Sequence, residues 1–320
     1  EQAKEKYNQA IMINVHSHEA YNNLGYVLHE AGQLDNAFEC FRKALELKTS
    51  FVEARYNLGV LAFEMHDYAF AAEQFSQVAF KNSKSYLLRC SYLEDDEVEF
   101  YRKLDDLIGQ SEVNAVIGSL VNCAKVRYGT RRFNPFCNDP LRYVMEINLN
   151  DKYDFEKIFV ATAKKILGDK STAYKDQSHL TNGVQTAGNI FRMGEGLCAE
   201  IENILRAELE EYRSHFIDSG EGFIKNWPNS YDIHGWLVSM TTGGELTAHM
   251  HDPGWITGSI YIHVPSRSNA DSGNIVLCED DQTDVAQESQ SRRKSIDVVT
   301  GSLCLFPASL HHYTIPFENE

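Results

Sequence analysis

Ala20-Tyr21-Asn22-Asn23-Leu24-Gly25 returns 34 positions later as Ala54-Arg55-Tyr56-Asn57-Leu58-Gly59, and the echo continues with Ala37 and Ala71, then Phe41 and Phe75. A fixed period of this length marks a chain built from one repeated supersecondary unit. The unit reads as a helical hairpin. Small residues (Gly25, Ala37) let its two helices approach closely, and large ones (Leu24, Phe41) fill the space between them. A single hairpin cannot bury its own face, so stacking on its neighbours supplies the core.

The period of 34, with Leu-Gly, then Ala, then Phe, resembles the tetratricopeptide repeat. The same offset works backward, since Ala3, Tyr7 and Ala10 fall 34 before Ala37, Phe41 and Ala44. The chain is therefore expected to open inside the second helix of a preceding repeat, truncated at its N-terminus. Such repeats bring a surface for a protein or peptide partner and no chemistry of their own.

Past residue 80 the period fails. Helices are expected over 94–108, 112–127 and 155–167, with a loop around Arg131-Arg132 and Pro135. From about residue 180 the character changes again. A strand-like stretch at 183–191 and a long amphipathic helix at 197–212 lead into short runs at 235–241, 246–251, 258–264, 274–278, 296–299 and 302–306. Gly, Pro, Asp and Ser separate them. Several short strands without intervening helices argue for a sandwich or jelly roll. The expected organisation is α+β and multidomain, with repeats over 1–80, a helical connection over 81–175 and a β-domain over 176–320.

The formal net charge of −16 over 320 residues disfavours phosphate backbones, so nucleic acid is not an expected partner. No apolar run approaches the length needed to cross a bilayer, and no membrane partner is expected. Seven scattered cysteines without a Cys-x-x-Cys read as free thiols in a reducing compartment, and a cytoplasmic location is expected.

The histidines of the β-domain carry the chemistry. Along a strand, residues i and i+2 share a face, so His249 and His251 point together if the strand persists that far, and Asp252 points away. Neutral imidazole is the commonest metal ligand near neutral pH. His312 follows a strand and Phe306-Pro307, where it can close the site from a distance. His263, and His16, His18, His29 and His66 in the repeats, read as surface residues. His311 reads as a neighbour of the site or a surface residue.

Gly244, Ala248-His249-Met250-His251, Gly254-Trp255-Ile256-Thr257-Gly258-Ser259-Ile260-Tyr261-Ile262 and Val264-Pro265 together resemble the iron and 2-oxoglutarate-dependent oxygenases of the prolyl-hydroxylase type. The similar branch is the one fused to tetratricopeptide repeats. Gly301-Ser302-Leu303-Cys304-Leu305-Phe306-Pro307-Ala308-Ser309-Leu310-His311-His312 resembles that branch's later segment. The resemblance covers residues 180–320. It implies a double-stranded β-helix (jelly roll) and an Fe(II)- and 2-oxoglutarate-dependent dioxygenase of the hydroxylase type. The implied ligand set is His249, His251 and His312, with Asp252 as the alternative carboxylate. The wider superfamily uses two His and one carboxylate, so a third His raises the net positive charge left on the metal. Tyr261 is the expected hydrogen-bond partner of 2-oxoglutarate. The Arg that grips its distal carboxylate is expected beyond Glu320, and Arg292 and Arg293 are poor substitutes. Loops 265–273 and 279–293 are where substrate specificity is expected. Two other readings stay open: a non-catalytic repeat scaffold with a degenerate β-domain, and a three-His, cupin-like metal enzyme that uses no 2-oxoglutarate.

Overall fold

The computed structural model describes residues 2–194, 196–267, 269–280 and 292–318. It divides into two compact units, Glu1–Glu112 and Val113–Glu320, so the segment expected to connect repeats and β-domain is shared between them.

The first unit is a run of seven helices: α1 (Gln2–Ile13), α2 (His18–Glu30), α3 (Leu34–Leu47), α4 (Val52–Glu64), α5 (Tyr68–Ser76), α6 (Ser83–Leu93) and α7 (Glu97–Gly109). Side-chain caps start several of them, with Ser17 accepting from the Ala20 N–H and Asp67 from the Phe70 N–H. The recurring Gly and Phe have one steric cause. A Cβ on Gly25 would sit 2.7 Å from the Phe41 ring, and one on Gly59 would sit 2.9 Å from the Phe75 ring. Both phenylalanines are fully buried, and each ring packs against a helix that has no side chain at the point of contact.

A third hairpin, α6–α7, follows where the sequence period is lost. Equivalent helix starts lie 34 residues apart in the first two hairpins (His18 to Val52, Leu34 to Tyr68). The intervals then shorten to 31 (Val52 to Ser83) and 29 (Tyr68 to Glu97). The architecture continues while the residue count changes. The join is aromatic: the Phe75 and Tyr86 rings stack at 4.7 Å, and the Tyr56 hydroxyl donates to Asn82 Oδ1.

In the second unit, α8 (Ala115–Tyr128) is buried at every position from Ala115 to Ala124. It is thus a central helix rather than another amphipathic one. Asn114 caps its start, and Gly129, in the left-handed region, ends it. A π-helical turn (Glu156–Val160) leads into α9 (Ala161–Gly168), and α10 (Ala199–His215) follows.

Among the described residues, nine strands make three sheets: β1 (Met145–Asn148), β2 (Tyr174–Lys175), β3 (Leu180–Thr186), β4 (Val238–Leu246), β5 (Ile256–Ile260), β6 (Ile275–Cys278), β7 (Arg293–Ile296), β8 (Ser302–Pro307) and β9 (His311–Thr314). Their orders are β1-β8-β5, β2-β3-β4 and β7-β6-β9, every pairing antiparallel. Strand β8 is buried on both faces. Leu303 and Leu305 join a core with Ile201, Ile204 and Tyr212 of α10, while Cys304 and Phe306 join another with Ile275 and Leu277 of β6. That alternation is the two-residue period of a central strand.

Three expectations change. One strand, β4, stands where strands were expected at 235–241 and 246–251: it runs through Gly243-Gly244, which form a bulge and not a turn, and it ends at Leu246, so His249 and His251 lie on the chain beyond it and not in a strand. Gly243 takes φ +75°, and the register against β3 shifts between Thr181 and Gly183. Strands β1 and β9, four residues each, were not expected. The strands expected at 258–264 and 296–299 begin earlier, at Ile256 and Arg293.

Overpacking tests the Gly–Phe contact. Gly59→Val is expected to lower the stability of the chain by about 1–3 kcal/mol in urea titrations. Adding Phe75→Leu should recover part of that loss, whereas strictly additive losses would contradict the contact.

Candidate metal centre

Beyond Leu246 the β4 chain stays extended without forming a regular ladder. Its next strand contact is a single bridge: His249 N–H donates to His312 O at 3.1 Å, and His312 N–H returns to His249 O at 2.9 Å. Residues that exchange both bonds face one another and send their side chains to the same side. His312 is also opposite Leu277 of β6, so the bridge joins the end of β4 to the β7-β6-β9 sheet. Leu246 N–H donating to Thr314 Oγ1 and Phe317 N–H donating to Gly244 O strengthen the join.

Alternation persists past the bridge. Met250 packs into the core beneath α10, whereas His249 and His251 turn the other way. The extended segment then stops at a turn, in which Gly254 N–H donates to His251 O at 2.8 Å. His251 is held at the last position before the chain reverses.

These elements bring together all three histidines expected at the site. Each of His249, His251 and His312 offers a ring nitrogen, and those atoms lie within 4.8 Å of one another. Ring centroids are 4.3 Å apart for His249 and His312, 5.1 Å for His251 and His312, and 5.2 Å for His249 and His251. Asp252 is outside this group. Its carboxylate is a charge near His251. Tyr261 sits one residue past β5 and packs in the core cluster of Phe306, whose ring is 5.2 Å from that of His312. Burial pushes its phenol pKa up. Arg292 is committed to ion pairs with Asp139 and Glu279, and Arg293 lies on β7. His263 is exposed, and His311 is buried with its Nδ1 3.5 Å from Ser119 Oγ. Most of the loop at 279–293 lies outside the described residues.

Sequence reasoning missed two neighbours. The His179 ring stacks on His249 with centroids 5.0 Å apart and planes 12° from parallel, and the Trp236 ring lies 5.2 Å from His251. Neither carries a local signal. His179 reaches the site through β3–β4 pairing across some 70 residues, an arrangement that spacing does not encode.

Electrostatics keep the rings neutral. Burial lowers the pKa of all three, most strongly for His312, and each ring's histidine neighbours lower it further. His251 is pushed down to about 4 by burial and then by His249, against the pull of Asp252. His249 Nδ1 lies 2.7 Å from the Thr247 carbonyl, which requires Nδ1–H and leaves Nε2 as a lone-pair donor. The Leu310 backbone is hydrogen-bonded to the His312 ring, as Thr247 is to that of His249. Three neutral imidazoles fit a first-row divalent cation by donor chemistry and by spacing.

The matches to known proteins fall in two stretches. Residues 234–320 match the model of a family described as "Putative 2OG-Fe(II) oxygenase", and residues 25–65 match that of a TPR repeat. Peroxisomal targeting signal receptors are similar over short stretches. That of Candida glabrata is 36% identical over 67 residues, 21% of this chain and 11% of the receptor. That of Saccharomyces cerevisiae is 30% identical over 116 residues, 36% of this chain and 15% of the receptor. The chain thus spans a small part of these relatives. Among solved structures, YrrB, a TPR protein with an unusual peptide-binding site, is 19% identical at a TM-score of 0.34, covering 40% of this chain and 68% of that one. A tetratricopeptide repeat protein from Parabacteroides merdae is 14% identical at a TM-score of 0.35, covering 70% and 74%. No helix among the described residues is long and apolar enough to cross a membrane, and none of the seven cysteines is in a disulfide.

The lowered histidine pKa values set an acid limb. When a base has a lower pKa folded than unfolded, the unfolded chain takes up protons first as pH falls. Metal-free stability should therefore hold above pH 6.5 and fall between there and about 4. His251 contributes up to about 3 kcal/mol of that fall. Urea unfolding at pH 7 and pH 4.5 in chelator checks this: His251→Gln should be less acid-sensitive than the wild type, and an equal loss would contradict it.

Proposed function

We propose that the second unit is an Fe(II)- and 2-oxoglutarate-dependent oxygenase of the hydroxylase type, with His249, His251 and His312 holding the metal. The observation that carries the reading is the convergence of these three neutral imidazoles inside the stretch that matches the oxygenase family. The three sheets are read as a double-stranded β-helix. The β1-β8-β5 sheet is one layer, and the sheets joined at the His249–His312 bridge are the other.

When bound, Fe(II) with 2-oxoglutarate and O2 supplies hydroxylation of a C–H bond, with succinate and CO2 as by-products. The residues of this chain do the rest. His249 is held as the Nδ1–H tautomer by Thr247, so its Nε2 is presented as a ligand. The core of Phe306, Leu310 and Tyr261 keeps water from the side of the site next to His312. Tyr261 is assigned to the cosubstrate on the strength of that position. The repeats recruit a protein or peptide substrate, a role supported by the TPR match and by the short likeness to receptors of a targeting signal.

Among the described residues no carboxylate joins the grouped ligands, which favours one second reading, a three-His metal enzyme that does not use 2-oxoglutarate. Anaerobic titration separates the two. Under the first reading the chain takes up one Fe(II), and adding 2-oxoglutarate produces a visible charge-transfer band. His249→Ala or His312→Ala should weaken iron binding by more than ~100-fold, beyond the loss typical of residues that only support a ligand. Iron uptake with no response to 2-oxoglutarate would move the assignment to the second reading. No iron uptake at all would leave neither standing.

A further inference from the structure

A fourth imidazole, His179, lies beside the three grouped ones, in the turn between β2 and β3 and outside the stretch that matches the oxygenase family. Leu180 is the register partner of Leu246. One step further along the ladder, Thr247 N–H donates to His179 O at 2.8 Å, so residues 179 and 247 are opposite each other. Opposed residues share a face, and His249, two beyond Thr247, is the diagonal neighbour of His179 on that face. The side chains follow this rule. His179 Nδ1 lies 3.1 Å from Thr247 Oγ1, and its ring lies nearly parallel to that of His249, centroids 5.0 Å apart. Thr247 therefore engages both rings, His179 through its hydroxyl and His249 through its carbonyl.

We infer that His179 is a positioning residue that fixes the plane of the His249 ring; this rests on the metal-centre reading above. An imidazole turns about its χ2 bond in a broad, shallow well. The bond from Nδ1 to Thr247 O fixes the tautomer but lets the ring rock about that contact. A parallel ring against one face removes the rocking. The His312 ring, tilted 48° with its centroid 4.3 Å away, is a second neighbour of His249. Held by both, His249 keeps its lone pair on one line, and the cost of ordering it is met in folding rather than at metal capture. Thr247 keeps His179 in place, so the two residues act as one support.

Cobalt(II) is the probe, because its visible ligand-field bands report coordination geometry without turnover. Affinity and spectrum are measured for the full chain, His179→Ala, His179→Phe and Thr247→Val, with thermal melts of the metal-free proteins alongside. His179→Ala should weaken Co(II) binding by about 10–100-fold and alter the bands. His179→Phe keeps a flat ring over His249 and should recover most of the affinity and the wild-type bands. Thr247→Val, which loses the hydroxyl but not the carbonyl, should fall between them. Wild-type affinity and spectrum in His179→Ala would overturn the role of His179 while leaving the metal centre intact. A Phe variant no better than Ala would overturn the stack as the cause. Absence of Co(II) binding by the unmodified chain would overturn the metal-centre reading and this inference together. If His179→Ala fails to melt cooperatively, the comparison of His179→Phe with the wild type decides.

Discussion

Two backbone hydrogen bonds between His249 and His312 hold the site in register. With the Leu246–Thr314 bond they tie the trailing end of β4 to β9, and they set two imidazoles beside each other on one side of the chain. Everything nearby is arranged around that pair. The bulge at Gly243-Gly244 brings the strand to the bridge, the turn at Gly254 stops it two residues later, and Met250 anchors the intervening position in the opposite core. A slip of one residue would send both rings into the core beneath α10 and bring Met250 to the site, because side-chain direction in an extended chain alternates strictly.

The repeat unit depends on a constraint of a different kind. There the decisive quantity is the distance between two helices, set by a glycine on one and a phenylalanine on the other. Where that pair recurs, the period shows through the sequence. In the third hairpin the intervals shorten to 31 and 29 residues, and the join is made by Tyr56, Phe75 and Tyr86 instead. Stacking of hairpins therefore tolerates a change of residue count that a search for a fixed period does not.

Legibility in the sequence tracks the range of each contact. His249 and His251 were readable because two-residue spacing is a local property of an extended chain, and His312 because it closes a segment with its own motif. The helices of the repeats, capped by Ser17 and Asp67, were readable for the same reason. Strands β1 and β9 were not, since neither has the continuous apolar run that marks the equally short β6. His179 and Trp236 were hidden more deeply, because their closeness to the rings follows from pairing between distant segments. The bulge was not readable, because two consecutive glycines serve a bulge or a reversal equally, and only the partner strand decides which.

The bridge also has a meaning for the order of folding. His249 and His312 are separated by about sixty residues of chain, and closing a loop of that size costs conformational entropy before any contact repays it. The pairs β3–β4 and β1–β8 are of similar or longer range, so the second unit has to collect several distant segments before its strands can register. Hairpins of the first unit need only their own neighbours. The two halves of the chain are thus expected to mature on different clocks, with local stacking first and the imidazole cluster last. A cation shared by His249 and His312 would act on that last step as a staple, since whatever binds only the closed loop holds it closed.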